Sequence, residues 1–589
     1  MVLDNKLVKK LHKATELKLS GENDKAIVVL ERLLQERPYL PAVLSPLAEL
    51  YMAKMLHSKA ADMYERISQV EDEEDLDAFF YVNYANSLKL SGKYTEAEPK
   101  FKRAYELLPT NSAILIEYAK FHFDYRHFEE AISLYEQALE LDKNNIIALM
   151  NMAILFSEKN DFEKAEILIK RVLSMEANNP TALAILVQIY MAGKNNEAAE
   201  ELLFKALSLY PEMVMLYFNQ ASIFLRTNRL ESALENYNRI LQINVDVKMA
   251  RVAKAYVLIQ LNRFQDALKE YESILEESRD DDVLYKKSMV ELQMGYFHKG
   301  WKNHEARLNL EKYIFYTPAS EKMGVRWHRK NSSDDKELLV FGEQGLGDVI
   351  QMSRYVKALK DEGINVTFHV NANLSPLFKA MPEIADSVVT ERPRNYNQYV
   401  SVMSLPYEFD TDLNSIPELP KVDLPESDML RWRDELGEKT VQRIGIVNSG
   451  NPKHLNDFNR SIKLEELLRA LPIENEYYLL HKDVRKDDLE YIHSTICKHK
   501  VFVLNEKINH FIDTACLCEL MDIVIGVDTS VIHLAGALGK KTILLLPYVP
   551  DWRWMLEGEQ TPWYPSMTLL RQSEYGSWQN VWNKLSQYI

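Results

Sequence analysis

From the N-terminus to about residue 310, apolar positions recur at helical spacing, and short polar turns interrupt them at regular intervals. This pattern predicts a long run of amphipathic helices. A small residue returns on a fixed beat at Ala26, Ala60, Ala97, Ala131, Ala165, Ala199, Ala233, Ala267 and Gly300, with steps of 34, 37, 34, 34, 34, 34, 34 and 33. Large apolar residues stand four positions after many of these (Tyr64, Phe101, Tyr135, Ile169, Tyr237, Tyr271) and three before (Tyr94, Phe128, Phe162, Leu230, Phe264, Phe297). A small residue lets two helices cross closely, and its large neighbours fill the space beside the crossing. Pro38, Pro109 and Pro211 fall 12 residues after a beat, where a second helix is expected to end.

The period changes at about 336. Short apolar runs (ELLVF, NVTFHVN, SVVTER, QYVSVMSLP) alternate with helical stretches. After the Pro- and acid-rich segment TDLNSIPELPKVDLPESD, the alternation restarts with QRIGIVNSG, EYYLLH, KVFVLN, MDIVIGVD and KKTILLLP. Strands alternating with helices predict parallel sheets, and two such units joined by a linker predict two Rossmann-like halves. Ligands of such sheets lie beyond the C-terminal strand ends. The last segment, SEYGSWQNVWNKLSQYI, reads as a closing helix that crosses back to the first half.

The N-terminal beat is similar to the tetratricopeptide repeat, a 34-residue helix–turn–helix unit, over about 14–317 as roughly nine repeats. The resemblance implies a superhelix across 1–320 whose concave groove takes a protein or peptide. A homo-oligomer, or a purely spacing or solubilising array, stays open as another use.

The chain has 589 residues, 47% hydrophobic and 27% charged, with a net charge of −16. This describes a folded protein and argues against a general nucleic-acid binder, which needs clustered Lys and Arg. Three cysteines, Cys497, Cys516 and Cys518, point to a reducing compartment without a disulfide framework. No apolar run reaches transmembrane length and the N-terminus has no signal-peptide core, so a cytoplasmic location is expected.

Three motifs stand at the strand ends. The first is the turn GEQGLGDVIQ (342–351), with Gln344, Gly345, Gly347 and Asp348 between a strand and a helix. Glycine there permits close backbone approach, and the helix start offers unpaired N–H groups. The second is GIVNSGNPKHLNDFNRS (445–461), which places Ser449, Lys453, His454 and Arg460 in one loop. The third is GVDTSVIHLAGALGKKTILLLP (526–547), where Asp528, Thr529 and Ser530 end a strand and start a helix, with His533 on its first turn. A hydroxyl-rich helix start suits an anionic phosphate. The Asp410 and Asp412 pair lies in the Pro-rich linker and reads as loop solvation rather than a metal site.

The stretches GEQGLGDVIQMSRY, DTSVIHLAGALGK and PYVPDWRWM, within about 336–575, resemble bacterial glycosyltransferases related to the heptosyltransferases, and more narrowly their tetratricopeptide-fused relatives. The resemblance implies an α-helical tetratricopeptide superhelix followed by an α/β GT-B domain. Residues 335–420 would form the acceptor-side half and 421–589 the donor-side half. It implies inverting transfer of a sugar from a nucleotide-sugar co-substrate to a protein or glycan acceptor recruited by the repeats, with no metal and no cofactor. Carried over by motif, Asp348 matches the general base. Asp528, Thr529, Ser530 and His533 match the donor-diphosphate signature, and Arg460, with Ser449, Lys453 and His454, the charged loop beside it. Gln344, Gly345 and Gly347 fall on the acceptor-side turn. One position departs: Asn448 stands where relatives usually carry tryptophan. Trp552 and Trp554 read as packing between the halves. The competing reading is a non-catalytic scaffold whose GT-B domain is degenerate. A dinucleotide oxidoreductase is excluded, because neither half has the G-x-G-x-x-G turn with its following acid.

Overall fold

The eight alanines of the beat are fully buried, and the large residues four positions later are nearly so. At Gly300 a Cβ would stand 2.7 Å from the Leu292 side chain, so the last crossing admits no side chain at all. The computed structural model describes residues 5–310, 325–331, 337–391, 396–452 and 456–589. The chain divides into two compact units, Met1–Arg229 and Leu230–Ile589.

The first unit consists, among its described residues, of thirteen helices, from Asn5–Leu19 to Val214–Arg226. Asp77, Asn111, Asn145, Asp161, Asn179 and Asn195 each accept a backbone N–H at a helix start, which satisfies a donor the helix itself leaves unpaired. The longer 37-residue step is taken up between Ser68 and Ala78, where the 3-10 turn Glu73–Asp75 is inserted. A second beat runs five residues ahead of the first. Gly21, Met55, Gly92, Arg126, Asn160, Lys194, Asn228, Asn262 and Gly295 all have φ between 57° and 82°. Each occupies the left-handed turn between two helices, and six of the nine are Gly or Asn, the residues that tolerate it best.

The second unit opens with the helices Leu230–Ile243, Lys248–Gln260, Phe264–Glu277, Asp281–Gln293 and Phe297–His304 and the 3-10 turn Glu305–Asn309. Two parallel sheets follow. The first joins β1 (Val325–Arg326), β2 (Glu337–Phe341), β3 (Asn365–His369), β4 (Ser387–Val389) and β5 (Gln398–Ser401) in the order β1-β5-β2-β3-β4. The second joins β6 (Arg443–Val447), β7 (Glu476–Leu479), β8 (Lys500–Val503), β9 (Ile523–Val527), β10 (Thr542–Leu546) and β11 (Met567–Arg571) in the order β11-β10-β9-β6-β7-β8. Strands β6, β9 and β10 are buried throughout, as their Ile-, Val- and Leu-rich sequences suit a parallel sheet covered on both faces.

The second sheet has the doubly wound order 3-2-1-4-5-6, and its order reverses between β6 and β9. The first sheet reverses between β2 and β5. These two points are where each sheet opens a crevice. The edge strands β1 and β11 extend the sheets beyond the segments that periodicity picks out. Strand β1 lies ahead of the expected boundary at 335, and both that boundary and the one at 320 fall outside the described residues.

The closing helix differs from expectation. Gln579–Leu585 does not cross to the first half; Val581 and Leu585 pack into the core of the second sheet with Ile543, Leu545 and Leu570. The crossing is made instead by the segment around Trp552 and Trp563, where Arg354 donates to the Trp563 carbonyl at 2.8 Å. The Pro-rich linker lies largely exposed and is anchored at two points: Arg354 donates to the Pro417 carbonyl at 3.2 Å, and the Asp423 N–H to the Ala380 carbonyl at 2.7 Å.

Candidate functional site

Strand β6 runs straight into residues 448–450, and β9 into residues 528–530, so both motifs of the second half flank its switch point. The loop after β6 folds back on itself. The Gly450 N–H donates to Ser461 Oγ at 3.1 Å, Ser461 Oγ to Asp457 at 2.8 Å, and Arg485 pairs with Asp457. This closure delivers Arg460 across the crevice, where its Nη1 donates to the Asp528 carbonyl at 2.8 Å, while its Nε lies 3.6 Å from Asp457. Lys453 and His454 lie outside the described residues.

Several polar atoms here have no hydrogen-bond partner among the described residues: Ser449 Oγ, on a residue only 4% exposed, Thr529 Oγ1 and Arg460 Nε. Buried polar atoms are ordinarily satisfied, and two hydroxyls and a guanidinium nitrogen that are not, at the start of helix Ser530–Ala537, form a cradle suited to an anion. Thr529 is the residue preceding that helix, yet its hydroxyl makes no capping bond.

His533 is used differently from its motif assignment. It is 4% exposed, with Nε2 at 3.5 Å from Asp528 Oδ1, Nδ1 at 2.9 Å from the Tyr564 hydroxyl, and its ring stacked on Trp554 at 5.3 Å. Both ring nitrogens face protein, so it orients Asp528 instead of reaching the crevice. Burial acts to raise the Asp528 carboxyl, but the bonds from His533 and Trp554 and the charge of Arg460 outweigh it and hold it below its ordinary range.

In the first half, Gln344 takes a left-handed φ of 64° and helix Leu346–Asp361 begins at once. Gly347 leaves no free space: a Cβ there would meet His533 Cδ2 at 2.7 Å and Ser530 Cα at 3.3 Å. Its glycine lets the starts of two helices, one from each half, touch. Asp348 is the third residue of its helix and 16% exposed at the side chain. Oδ2 accepts the Gly345 N–H at 2.7 Å, and Oδ1 is ion-paired with Arg553. To accept a proton, Asp348 has to give up one of these partners.

Arg553 is the residue that sequence reasoning missed. It also donates to Gln351 at 2.8 Å and to Asp551 Oδ1 at 2.5 Å. Asp551 keeps 32% of its side chain open, while packed protein surrounds the rest. Burial first, and the Asp528 carboxylate second, push its carboxyl from 3.8 up to about 8, against the Arg553 N–H and the charge of Arg460. Arg553 and Asp551 both stand in the VPDWRW run. Trp552 and Trp554 are buried, Trp552 packing edge-on to Trp301 at 5.1 Å and to Trp563 at 6.0 Å.

Asn448, the departure from the motif, is fully buried and donates to the Ile462 carbonyl at 2.9 Å and to Asp488 at 2.8 Å. Its amide nitrogen braces the loop, while its Oδ1 has no partner among the described residues. The carboxylates of the linker act singly: Asp410 meets His298 at 2.7 Å, and Asp412 accepts the N–H groups of Asn414 and Ser415 at 2.8 and 3.0 Å. Among the described residues, no group of three His, Cys, Asp or Glu is placed to hold a metal ion, and no helix is long and apolar enough to cross a membrane.

Comparison with known proteins supports the first half of the sequence reading. Models of the tetratricopeptide repeat match residues 122–174, 186–245 and 218–283, and the N-terminal region carries these repeats. Protein FlbA of Caulobacter vibrioides (strain ATCC 19089 / CIP 103742 / CB 15) is 23% identical over 336 residues, 52% of this chain and 54% of that protein. The chain thus spans about half the length of this curated relative. Yeast Tom70 is similar at 16% identity and a TM-score of 0.38, over 50% of this chain and 62% of that one. A tetratricopeptide repeat protein from Parabacteroides merdae ATCC 43184 is similar at 18% identity and a TM-score of 0.32, over 41% and 96%.

Proposed function

We propose that the α/β region is a GT-B glycosyltransferase that moves a sugar from a nucleotide-sugar donor to an acceptor, with the repeats presenting a protein or peptide as that acceptor. The observation that carries this reading is the gathering of Ser449, Arg460, Thr529 and the start of helix Ser530–Ala537 at the β6/β9 switch point, with their polar atoms unspent. That set matches the charge and donor needs of a diphosphate. In the reaction, an acceptor hydroxyl oxygen attacks the anomeric carbon and the bond from that carbon to the diphosphate breaks. The diphosphate leaves with the electron pair, and a carboxylate takes the hydroxyl proton, giving an inverted product. Arg460 and the helix amides stabilise the departing charge. Asp348 is the carboxylate placed by the motif, and it acts once a bound substrate displaces Arg553 or the Gly345 N–H.

A scaffold function is the second reading, and one observation favours it: both Asp348 oxygens are already engaged. A thermal-shift screen of nucleoside diphosphates and nucleotide sugars separates the two. The enzyme reading expects stabilisation by one nucleotide, and Arg460→Ala should weaken its binding by roughly 10- to 100-fold, the value of a charge-assisted hydrogen bond. No response to any nucleotide at millimolar concentration would sink it.

A further inference from the structure

The crevice of the first sheet, between β2 and β5, is filled by a side chain from the end of the repeats. Arg307, in the 3-10 turn Glu305–Asn309, is 0% exposed. Its Nε donates to Glu343 Oε1 at 2.5 Å, just after β2. Its Nη2 donates to Ser404 Oγ at 2.9 Å and Ser401 Oγ at 3.3 Å, at the end of β5. Its Nη1 donates to Glu305 at 2.8 Å and to the His304 carbonyl at 3.2 Å, with His304 Nδ1 also at 3.2 Å. Burial, then the charges of Arg307 and Arg553, hold His304 well below its ordinary pKa. The imidazole is therefore neutral and its Nδ1 can accept from Arg307.

Glu343 immediately precedes Gln344, whose left-handed backbone starts the turn that ends in Asp348. The same last repeat grips the other side of Asp348. Gln293 donates to the Pro550 carbonyl at 2.8 Å, and Trp301 packs edge-on to Trp552, next to Arg553. Burying a guanidinium and two carboxylates is costly, and apolar residues of similar volume would serve stability as well or better. What the charged set supplies is direction: six acceptor atoms on five residues fix one planar donor group, and that group fixes the turn.

We propose that Arg307 is a positioning residue. The end of the last repeat sets the conformation of the 343–348 turn through Glu343, and with it the pairing of Asp348 with Arg553. For turnover this rests on the glycosyltransferase reading; for the turn itself it does not. The last repeat is then part of the α/β machinery rather than a detachable array.

The test compares full-length wild type, Arg307→Met, Arg307→Lys and the double variant Arg307→Met with Glu343→Gln. Amide hydrogen exchange is measured without ligand, alongside thermal stability. Exchange in the peptide spanning 343–349 should rise about tenfold or more in Arg307→Met, while the 526–537 peptide stays unchanged. The double variant should regain thermal stability, since no buried charge is left alone, yet keep the fast exchange in the turn. If Arg307→Met does not fold, Arg307→Lys and the double variant carry the comparison. With a donor identified, kcat should fall while donor KM holds. Unchanged exchange at 343–349, or exchange that simply tracks melting temperature across the set, overturns the proposal. A wild type that binds no nucleotide removes the transferase reading and leaves the exchange comparison intact.

Discussion

The two half-sheets share an architecture and differ in what stands at the switch point. Between β2 and β5 the crevice is closed by Arg307, with Glu343 and two serines satisfying it. Between β6 and β9 it is bordered by Ser449, Thr529 and Arg460, which retain unsatisfied polar atoms. Unpartnered buried atoms border both crevices, Glu343 Oε2 and Gln344 Nε2 beside the first among them; the difference is that a guanidinium from the chain itself, Arg307, fills the first. The difference shows that a strand–glycine turn–helix is not by itself a ligand site. What decides is whether the protein has already filled the crevice.

The join between the halves offers the sharpest way to break this arrangement. Gly347→Ala adds a Cβ against the Ser530 backbone and the His533 ring, and neither can move far, since His533 is held by Asp528, Tyr564 and Trp554. Overpacking of this kind should cost ~1–3 kcal/mol, read by denaturant unfolding, and it should disturb the second crevice as well as the first. A neutral or stabilising outcome would mean that the helix starts are not in firm contact.

A smaller effect tests the charge balance beside the join. Asp551 has a folded-state pKa of about 8 against an ordinary 3.8, so the folded state binds the extra proton between those values. Its contribution is full below about pH 4, falls as pH rises toward 8 and is level above that. Asp551→Asn removes this dependence. Its melting temperature relative to wild type should therefore climb from pH 4 to pH 8 and then plateau. A difference that is flat with pH would show that Asp551 is ionised in the fold.

Legibility followed the range of the interaction. The repeat was readable because each crossing needs a small residue at one position, and that need recurs every 34 residues. The second beat was present too, but Met55, Arg126 and Lys194 occupy left-handed turns that their side chains do not advertise. The buried strands announced themselves as apolar runs, whereas β1, two residues long, and β11, a short run near the C-terminus, did not. At the site, the motifs fall at strand ends, where Arg460 reaches the Asp528 carbonyl. They could not reveal that Arg553 and Arg307 take up Asp348 and Glu343, because those partners lie 205 and 36 residues away in sequence. His533 and Asn448 illustrate the same limit: a motif names the residue, and packing decides whether it faces inward.

The central claim is that the second crevice takes a nucleoside diphosphate while the first does not. Amide hydrogen exchange of the full-length wild type, with and without a saturating nucleoside diphosphate found by the thermal screen, tests it most directly. Protection should appear in the peptides covering 448–461 and 528–533, with no change at 343–347. Protection at 343–347 in place of the second crevice, or protection at neither, would contradict the account.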